Sequence, residues 1–244
     1  MKKIVRFCII CAMTVSLFGT VQVSAAGKAE EGQEEQLDGS DSKATYLSQF
    51  NAGTYVELAD YSSIPVDANE GDTSGIENDI GDYLLKNSTF VKELPSPFVN
   101  RNTSTLKDEL QNYADTYKME LADFMKLYDS SLTEDTYEQY IEDLGLAYSK
   151  KLVVMQAVAN AEDLAVSDEE LDEQIKTQAD AAGYSSISEY KKAVKMDPEE
   201  LREVMMSTKV LEFLQEKVIY NNANESETET ITESETDSEQ EGES

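Results

Sequence analysis

The sequence predicts a mainly α-helical protein, an elongated body of several helices preceded by one extended arm or strand. Apolar side chains recur at steps of three and four residues along most of residues 103–218, which is the spacing of one helix face. Helix-capping sequences begin at Ser167 and Asp197. Strand-like alternation is confined to the segment around Tyr55–Tyr61. Helices therefore supply most of the predicted fold.

The first 25 residues have the three-part pattern of a secretory signal peptide. A cationic start, Met1–Arg6, precedes an uncharged apolar run, Phe7–Val21, and small residues follow at 23–26. The run of about 15 residues is shorter than the roughly 20 that span a bilayer, although an uncleaved anchor is the alternative. We expect cleavage near residue 25 and a secreted or extracytoplasmic protein. Both cysteines lie in the apolar run, so the mature chain is expected to lack thiol chemistry.

Charge and composition exclude several classes of function. The chain carries 50 acidic and 20 basic side chains, a net charge of −30, and no histidine. Nucleic-acid binding requires clustered Lys and Arg and is not expected. Without histidine there is no imidazole base and no His-ligated metal. We therefore expect no catalytic site, no cofactor site and no metal site.

Two acidic segments flank the region that is expected to fold. Residues 26–50 are interpreted as a disordered spacer. Residues 224–244 are interpreted as a disordered tail, because nine acids and a single aliphatic residue cannot bury enough apolar surface to offset chain entropy. Between them, residues 51–92 are predicted to form the extended arm and a short helix over Ile76–Leu85, and residues 93–223 the helical domain.

The helical domain is predicted to start after a proline-defined break at residues 92–99. Helices are expected at about 103–117, around Leu121–Tyr128, and from a cap at Thr133 to about Ala161. Gly145, inside the long helix, indicates a bend or the close approach of another helix.

Local signals define the last three helices. Ser167 with Glu170 is the sequence of a capping box, and Gly183 is expected to end the helix that it opens. Ser186 with Glu189 has the same spacing and predicts a short helix through Val194. Asp197 followed by proline predicts the start of the last helix.

The order of these motifs resembles the C-terminal domain of trigger factor, the ribosome-associated chaperone. Leu94–Pro95 opens the series, and residues 55–66 are similar to the extended arm of that family. The other matching stretches are KMELADFMK at 118–126, SKKLVVMQAVA at 149–159, AEDLAVSDEELDEQI at 161–175 and KVLEFL at 209–214.

The chain departs from the family pattern in two respects. The basic ribosome-binding domain is not present, and the chain passes directly from Thr89 to Leu94, where the FKBP-type isomerase domain would be inserted. The resemblance therefore implies a holdase-type chaperone that binds unfolded or newly exported polypeptides. It implies neither ribosome binding nor isomerase catalysis.

Apolar and aromatic side chains are the candidates for client binding. Methionine adapts its shape readily and suits a promiscuous surface, although helical stripes are more often core. Residues Met205 and Met206 cannot face the same side of a helix, so one of them is the better candidate for exposure. The candidates are Met119, Phe124, Met125, Tyr128, Tyr137, Tyr148, Met155, Met205, Met206 and Phe213.

Two alternatives remain open from the sequence. A parvulin-type or FKBP-type prolyl isomerase is disfavoured, because the mature chain has no histidine or cysteine and only one convincing strand. A non-catalytic surface adaptor with one fixed partner would use the same helices. It would be expected to show one compact apolar patch rather than an open cleft with scattered apolar residues.

Overall fold

The computed structural model describes residues 41–221. Its main elements are seven α-helices and four short strands, joined by loops and 3-10 turns. The helices are α1 (Thr73–Asn87), α2 (Ser96–Tyr117), α3 (Leu121–Met125), α4 (Tyr137–Ala161), α5 (Asp168–Ala181), α6 (Ile187–Val194) and α7 (Pro198–Gln215). The strands are β1 (Val56–Glu57), β2 (Ile64–Val66), β3 (Thr89–Phe90) and β4 (Val218–Tyr220). The mainly α-helical prediction is confirmed.

Residues 1–40 and 222–244 lie outside the described part. They include the predicted signal peptide, most of the predicted spacer and the whole of the predicted tail. Within residues 41–221, no helix combines the length and the apolar character that crossing a bilayer requires.

The extended arm divides into two strands that pair with different parts of the chain. Strand β1 pairs antiparallel with β3, with Val56 opposite Phe90. Strand β2 pairs in parallel with β4, with Ile64 opposite Val218. The arm therefore has short strand partners. Neither partner was identifiable by alternation, because two or three residues are too few to show a period.

The main core lies between the arm, α1, the start of α2, the second half of α4, and helices α5 and α7. Its fully buried side chains include aliphatic, aromatic and methionine residues. Prominent members are Tyr55, Ile64, Ile80, Leu84, Phe98, Leu152, Met155, Ile175, Tyr190 and Leu214.

A second core is separate from the first and lies where α2, α3 and the start of α4 meet. Its buried members are Leu106, Leu110, Ala114, Leu121, Phe124, Met125, Leu132 and Ile141. Helices α2 and α4 thus pass through both cores, and α3 belongs to the second one alone.

Gly145 marks the close approach of α2 to α4. A Cβ atom at this position would lie 2.8 Å from the Cα of Thr103, a distance that real Cβ atoms do not tolerate. From the sequence, Gly145 indicated either a bend or the close approach of another helix. The structure shows the close approach.

The predicted caps are largely confirmed. Ser167 and Glu170 form a reciprocal capping box at α5, and Asp197 accepts from the Glu199 N–H at α7. The Ser186 hydroxyl also accepts from the Glu189 N–H, but the Glu189 carboxylate accepts from Ser185 instead of closing a box. The second capping box is therefore only half formed.

Three predicted boundaries are wrong. Helix α4 begins at Tyr137, with Thr136 as its N-cap residue, rather than at a cap at Thr133. Helix α2 begins at Ser96 rather than near 103, because Pro97 lies in the first turn, where proline costs no hydrogen bond. The predicted spacer also extends too far, because Ala44, Leu47 and Phe50 are buried in the main core. These apolar residues recur every three positions, but the acidic composition of residues 26–50 as a whole favoured a disordered spacer.

Candidate functional site

The end of the α2–α3 hairpin carries a cluster of aromatic and apolar side chains, three of them strongly exposed, which we call the tip patch. It consists of Tyr113, Tyr117, Phe124, Leu127 and Tyr128. The turn between the helices depends on Lys118, which adopts a left-handed conformation with φ of 57° and donates its N–H to the last carbonyls of α2. This reversal places α3 against the last turns of α2.

Phe124 forms the base of the tip patch. Its ring stacks on Tyr113 with centroids 6.2 Å apart and on Tyr117 at 5.9 Å. Tyr128 meets it edge-on at 5.5 Å. Offset stacking and edge contacts are the favourable geometries for aromatic pairs, so the four rings form one continuous surface.

The outer members of the tip patch are strongly exposed. Tyr117, Leu127 and Tyr128 show 66%, 67% and 62% of their surfaces to solvent, whereas Phe124 shows 4%. Apolar side chains clustered at one exposed place commonly mark an interaction surface. The other large exposed apolar residues among residues 41–221 are scattered: Val91, Leu146 and Ile219.

Charged side chains in and just after α3 have partners close by in sequence. Lys126 contacts Asp123 at 2.8 Å. The Asp129 carboxylate accepts from both the side chain and the backbone of Ser131, and these hydrogen bonds lower the pKa of Asp129. The patch therefore offers aromatic rings and hydroxyl groups, and Lys126, Asp123 and Asp129 beside it already have partners.

The structure brings several predicted client-binding residues to this end of the molecule. Phe124 and Tyr128 belong to the tip patch, and Met119 and Tyr137 are partly buried against the second core beneath it. Met125 is buried in that core, with 1% of its surface exposed, so it supports the patch without presenting a surface of its own.

The remaining predicted residues lie in or against the main core. Met155 and Met206 are buried, while Tyr148, Met205 and Phe213 are partly buried and pack on the same cluster. Met205 and Met206 thus differ in exposure, as their adjacent positions required. Desolvation is the largest cause of the raised pKa of Tyr148.

Tyr113, Tyr117 and Leu127 are patch residues that were not among the client-binding candidates predicted from the sequence. Tyr117 continues the apolar stripe of α2, which favoured a buried position, but it lies in the last turn of the helix, beyond the depth of the second core. A signal was present in the sequence, because four aromatic residues occur within residues 113–128.

Residues 68–216 match the family described as bacterial trigger factor protein (TF) C-terminus. The match covers more than half of the 244 residues. The chain belongs to this family. The predicted resemblance to the trigger factor C-terminal domain is therefore confirmed, and the tip patch lies inside the matched region.

Curated trigger factors are similar to the chain at low identity. The trigger factor of Ureaplasma urealyticum serovar 10 is 26% identical over 170 residues, covering 67% of this chain and 34% of the relative. Trigger factors of two Ureaplasma parvum serovar 3 strains are 25% identical over 169 residues, covering 67% of the chain and 36% of each relative. The chain thus spans about a third of their length, and no solved structure matches it.

Proposed function

We propose that this trigger factor C-terminal domain protein is a holdase-type chaperone that binds unfolded or newly exported polypeptides outside the cytoplasm. The observation that carries the proposal is the tip patch, where Tyr117, Leu127 and Tyr128 are exposed around the stacked Phe124 ring. Burial of client side chains against these groups would release water from apolar surface on both partners.

Family membership supports a chaperone-like role, because trigger factor is a chaperone and its C-terminal domain is the non-catalytic chaperone module. In our proposal the chain therefore holds clients by reversible apolar contact, with no catalytic step and no ribosome contact. The net charge of −30 would keep a client-loaded complex soluble and would favour neutral or basic clients over acidic ones.

The extracytoplasmic location in this proposal depends on the signal pattern in residues 1–25. Expression of the full chain with a C-terminal tag tests it. We expect the mature protein, shortened by about 25 residues as the signal pattern requires, in the fraction outside the cytoplasmic membrane. Recovery of full-length protein from the cytoplasm would contradict this part of the proposal.

The activity is tested by suppression of aggregation. A protein that aggregates on dilution from denaturant is mixed with the chain, and light scattering is followed over time. We expect suppression at near-stoichiometric ratios. A double variant, Leu127→Ser and Tyr128→Ser, should lose most of this effect, because it removes two exposed apolar groups from the tip patch.

A matched control separates the tip patch from general surface hydrophobicity. The variant Leu146→Ser and Ile219→Ser removes two apolar residues that are also exposed, at 39% and 56%, but lie on α4 and β4. It should suppress aggregation as the unaltered chain does. Equal losses in both variants would argue against the patch, and no suppression at several-fold excess of the unaltered chain would refute the holdase function.

A further inference from the structure

Residues 41–50, which we call the strap, lie on the folded body as a short segment without regular secondary structure beyond single 3-10 turns. Three of its side chains point into the main core at a spacing of three: Ala44, Leu47 and Phe50, with 3%, 2% and 9% of their surfaces exposed. The strap thus lies on the body as a peptide of short 3-10 turns, whose period of three places these side chains on one side.

Three carboxylates from the start of α7 hold the polar groups of the strap. The Tyr46 hydroxyl donates to Asp197 Oδ2 at 2.5 Å, the Leu47 N–H to Glu203 Oε1 at 2.8 Å, and the Ser48 hydroxyl to Glu199 Oε2 at 2.9 Å. The groove therefore offers a row of acceptor oxygens to hydrogen-bond donors between the apolar anchors.

Each of these carboxylates uses its second oxygen for a partner on the body. Asp197 Oδ1 accepts from the Glu199 N–H. Glu199 Oε1 contacts Arg202 at 3.4 Å, and Glu203 Oε2 contacts Arg101 at 2.5 Å. Removal of the strap would therefore leave none of the three carboxylates without a partner, so the main cost of opening the groove is the exposure of the apolar anchors Ala44, Leu47 and Phe50.

The floor of the groove is aromatic and cationic. The Arg101 guanidinium lies over the Tyr46 ring, 4.5 Å from its centroid, and 5.4 Å from the Phe98 centroid. Phe50 meets Phe98 edge-on at 5.4 Å. Phe98 and Arg101 belong to α2, so the surface beneath the strap is suited to aromatic side chains of other polypeptides as well.

The backbone of the strap is held mainly by itself. Its backbone–backbone hydrogen bonds join Ala44 to Asp41, Gln49 to Tyr46 and Phe50 to Leu47. Strand β4, by contrast, is registered residue by residue on β2. A segment held on the body by side chains and one N–H can leave without opening a strand ladder.

We infer that the groove beneath the strap is a second polypeptide-binding site, which the strap occupies in cis and from which a client segment that adopts the same short turns displaces it. The fitting client segment has apolar side chains at a spacing of three and hydrogen-bond donors, such as hydroxyl or basic groups, between them. The acidic row Asp197, Glu199 and Glu203 repels acidic segments. This site rests on the proposed chaperone function for its client, but it shares no residue with the tip patch.

Loosening the strap tests the inference. The variant Tyr46→Phe and Ser48→Ala removes two hydrogen bonds and no buried apolar group. A fluorescent peptide with the sequence of residues 41–50, DSKATYLSQF, is titrated into the full chain and into this variant. Since a competing cis segment reduces apparent affinity by the fraction of open groove, loss of two hydrogen bonds should lower the apparent Kd by about tenfold.

A control variant removes one tyrosine and one serine hydrogen bond to a carboxylate at places away from the strap. Tyr61 donates to Glu162 at 2.7 Å, and Ser185 donates to Glu189 at 2.7 Å. The variant Tyr61→Phe and Ser185→Ala should bind the peptide as the unaltered chain does. A control peptide in which the positions of Leu47 and Phe50 are serine should bind to neither protein.

A second opening variant, Leu47→Ser, removes the central apolar anchor of the strap. The inference is overturned if neither opening variant binds the peptide more tightly than the unaltered chain. It is also overturned if a permanently unfolded basic protein does not displace the bound peptide, because the groove would then be specific for the strap. The tip variant Leu127→Ser and Tyr128→Ser should keep peptide binding, so this site and the proposed holdase function can fail separately.

Discussion

The Arg101 side chain of α2 forms a 2.5 Å ion pair with Glu203 of α7. Only 14% and 9% of the two side chains are exposed, and Glu203 also accepts from the strap. Burial raises the pKa of Glu203, and the nearby Arg101 charge opposes that shift. The pair therefore joins α2, α7 and the strap at one buried point.

Arg101→Met should destabilise the protein strongly. The variant keeps much of the apolar stem but leaves the Glu203 carboxylate buried without its cation, and breaking such a buried pair costs about 3–5 kcal/mol. Urea denaturation followed by circular dichroism measures the loss. Lys107→Met is the control, because its ion pair with Glu138 is exposed on both sides and should contribute about 0–1 kcal/mol.

Gly145→Ala should force α2 and α4 apart. The new Cβ would lie 2.8 Å from the Thr103 Cα, and overpacking of this kind costs about 1–3 kcal/mol. Gly81→Ala is the matched helical control, since its Cβ would meet nothing closer than 3.7 Å, the Lys151 Nζ. That variant should be neutral or gain up to about 1 kcal/mol. A stable Gly145→Ala protein in urea denaturation would show that the helices can separate freely.

Phe124→Ala should loosen the second core without opening the first. The variant removes the ring on which Tyr113, Tyr117 and Tyr128 pack, a truncation that costs about 3–5 kcal/mol locally. Amide hydrogen exchange should accelerate across α3 and the end of α2, while protection in the main core persists. Uniform acceleration across both cores would indicate one cooperative unit.

Glu77 and Glu170 should contribute to the stability of the fold with opposite dependences on pH. Burial, with repulsion from Glu212, raises the pKa of Glu77, so the folded state binds its proton more tightly than the unfolded state does. Stability then falls as pH rises above the ordinary glutamate pKa of about 4.3. Glu77→Gln should therefore increase Tm at neutral pH, and the gain should vanish in acid.

Glu170 provides the contrast. A hydrogen bond from Lys209 is the largest cause of its lowered pKa, so its contribution to stability is present above the ordinary pKa and is lost as pH falls through the lowered one. Glu170→Gln should lower Tm at neutral pH, with the difference disappearing in acid. Parallel Tm profiles for the two variants would contradict the opposite signs.

Local signals account for the parts of the fold that were predictable. The caps at Ser167 and Asp197 and the left-handed Gly183, with φ of 72°, depend on hydrogen bonds and backbone conformations within one turn. Strands β3 and β4 were not predictable, because a two- or three-residue strand exists only through a partner about 30 or 150 positions away in this chain and leaves no period of its own.

The candidate site was also predictable only in part, because the exposure of a side chain depends on contacts between distant parts of the chain. Aromatic and methionine content identified Phe124 and Tyr128, but the side of a helix that meets a core depends on its neighbours. Met155 and Met206 are buried because α4 and α7 pack on other helices on that side. Tyr117 is exposed because the second core ends one turn before it.

The pairing of β2 with β4 places residues 64 and 218 side by side, and the strap contacts α7 across 151 positions of sequence. The main core therefore cannot close until α7 and β4 have been synthesised. Contacts of such long sequence separation also form slowly. The main core would thus close only near the end of synthesis of the described residues, whereas the second core needs no buried residue beyond Ile141 and could form well before it.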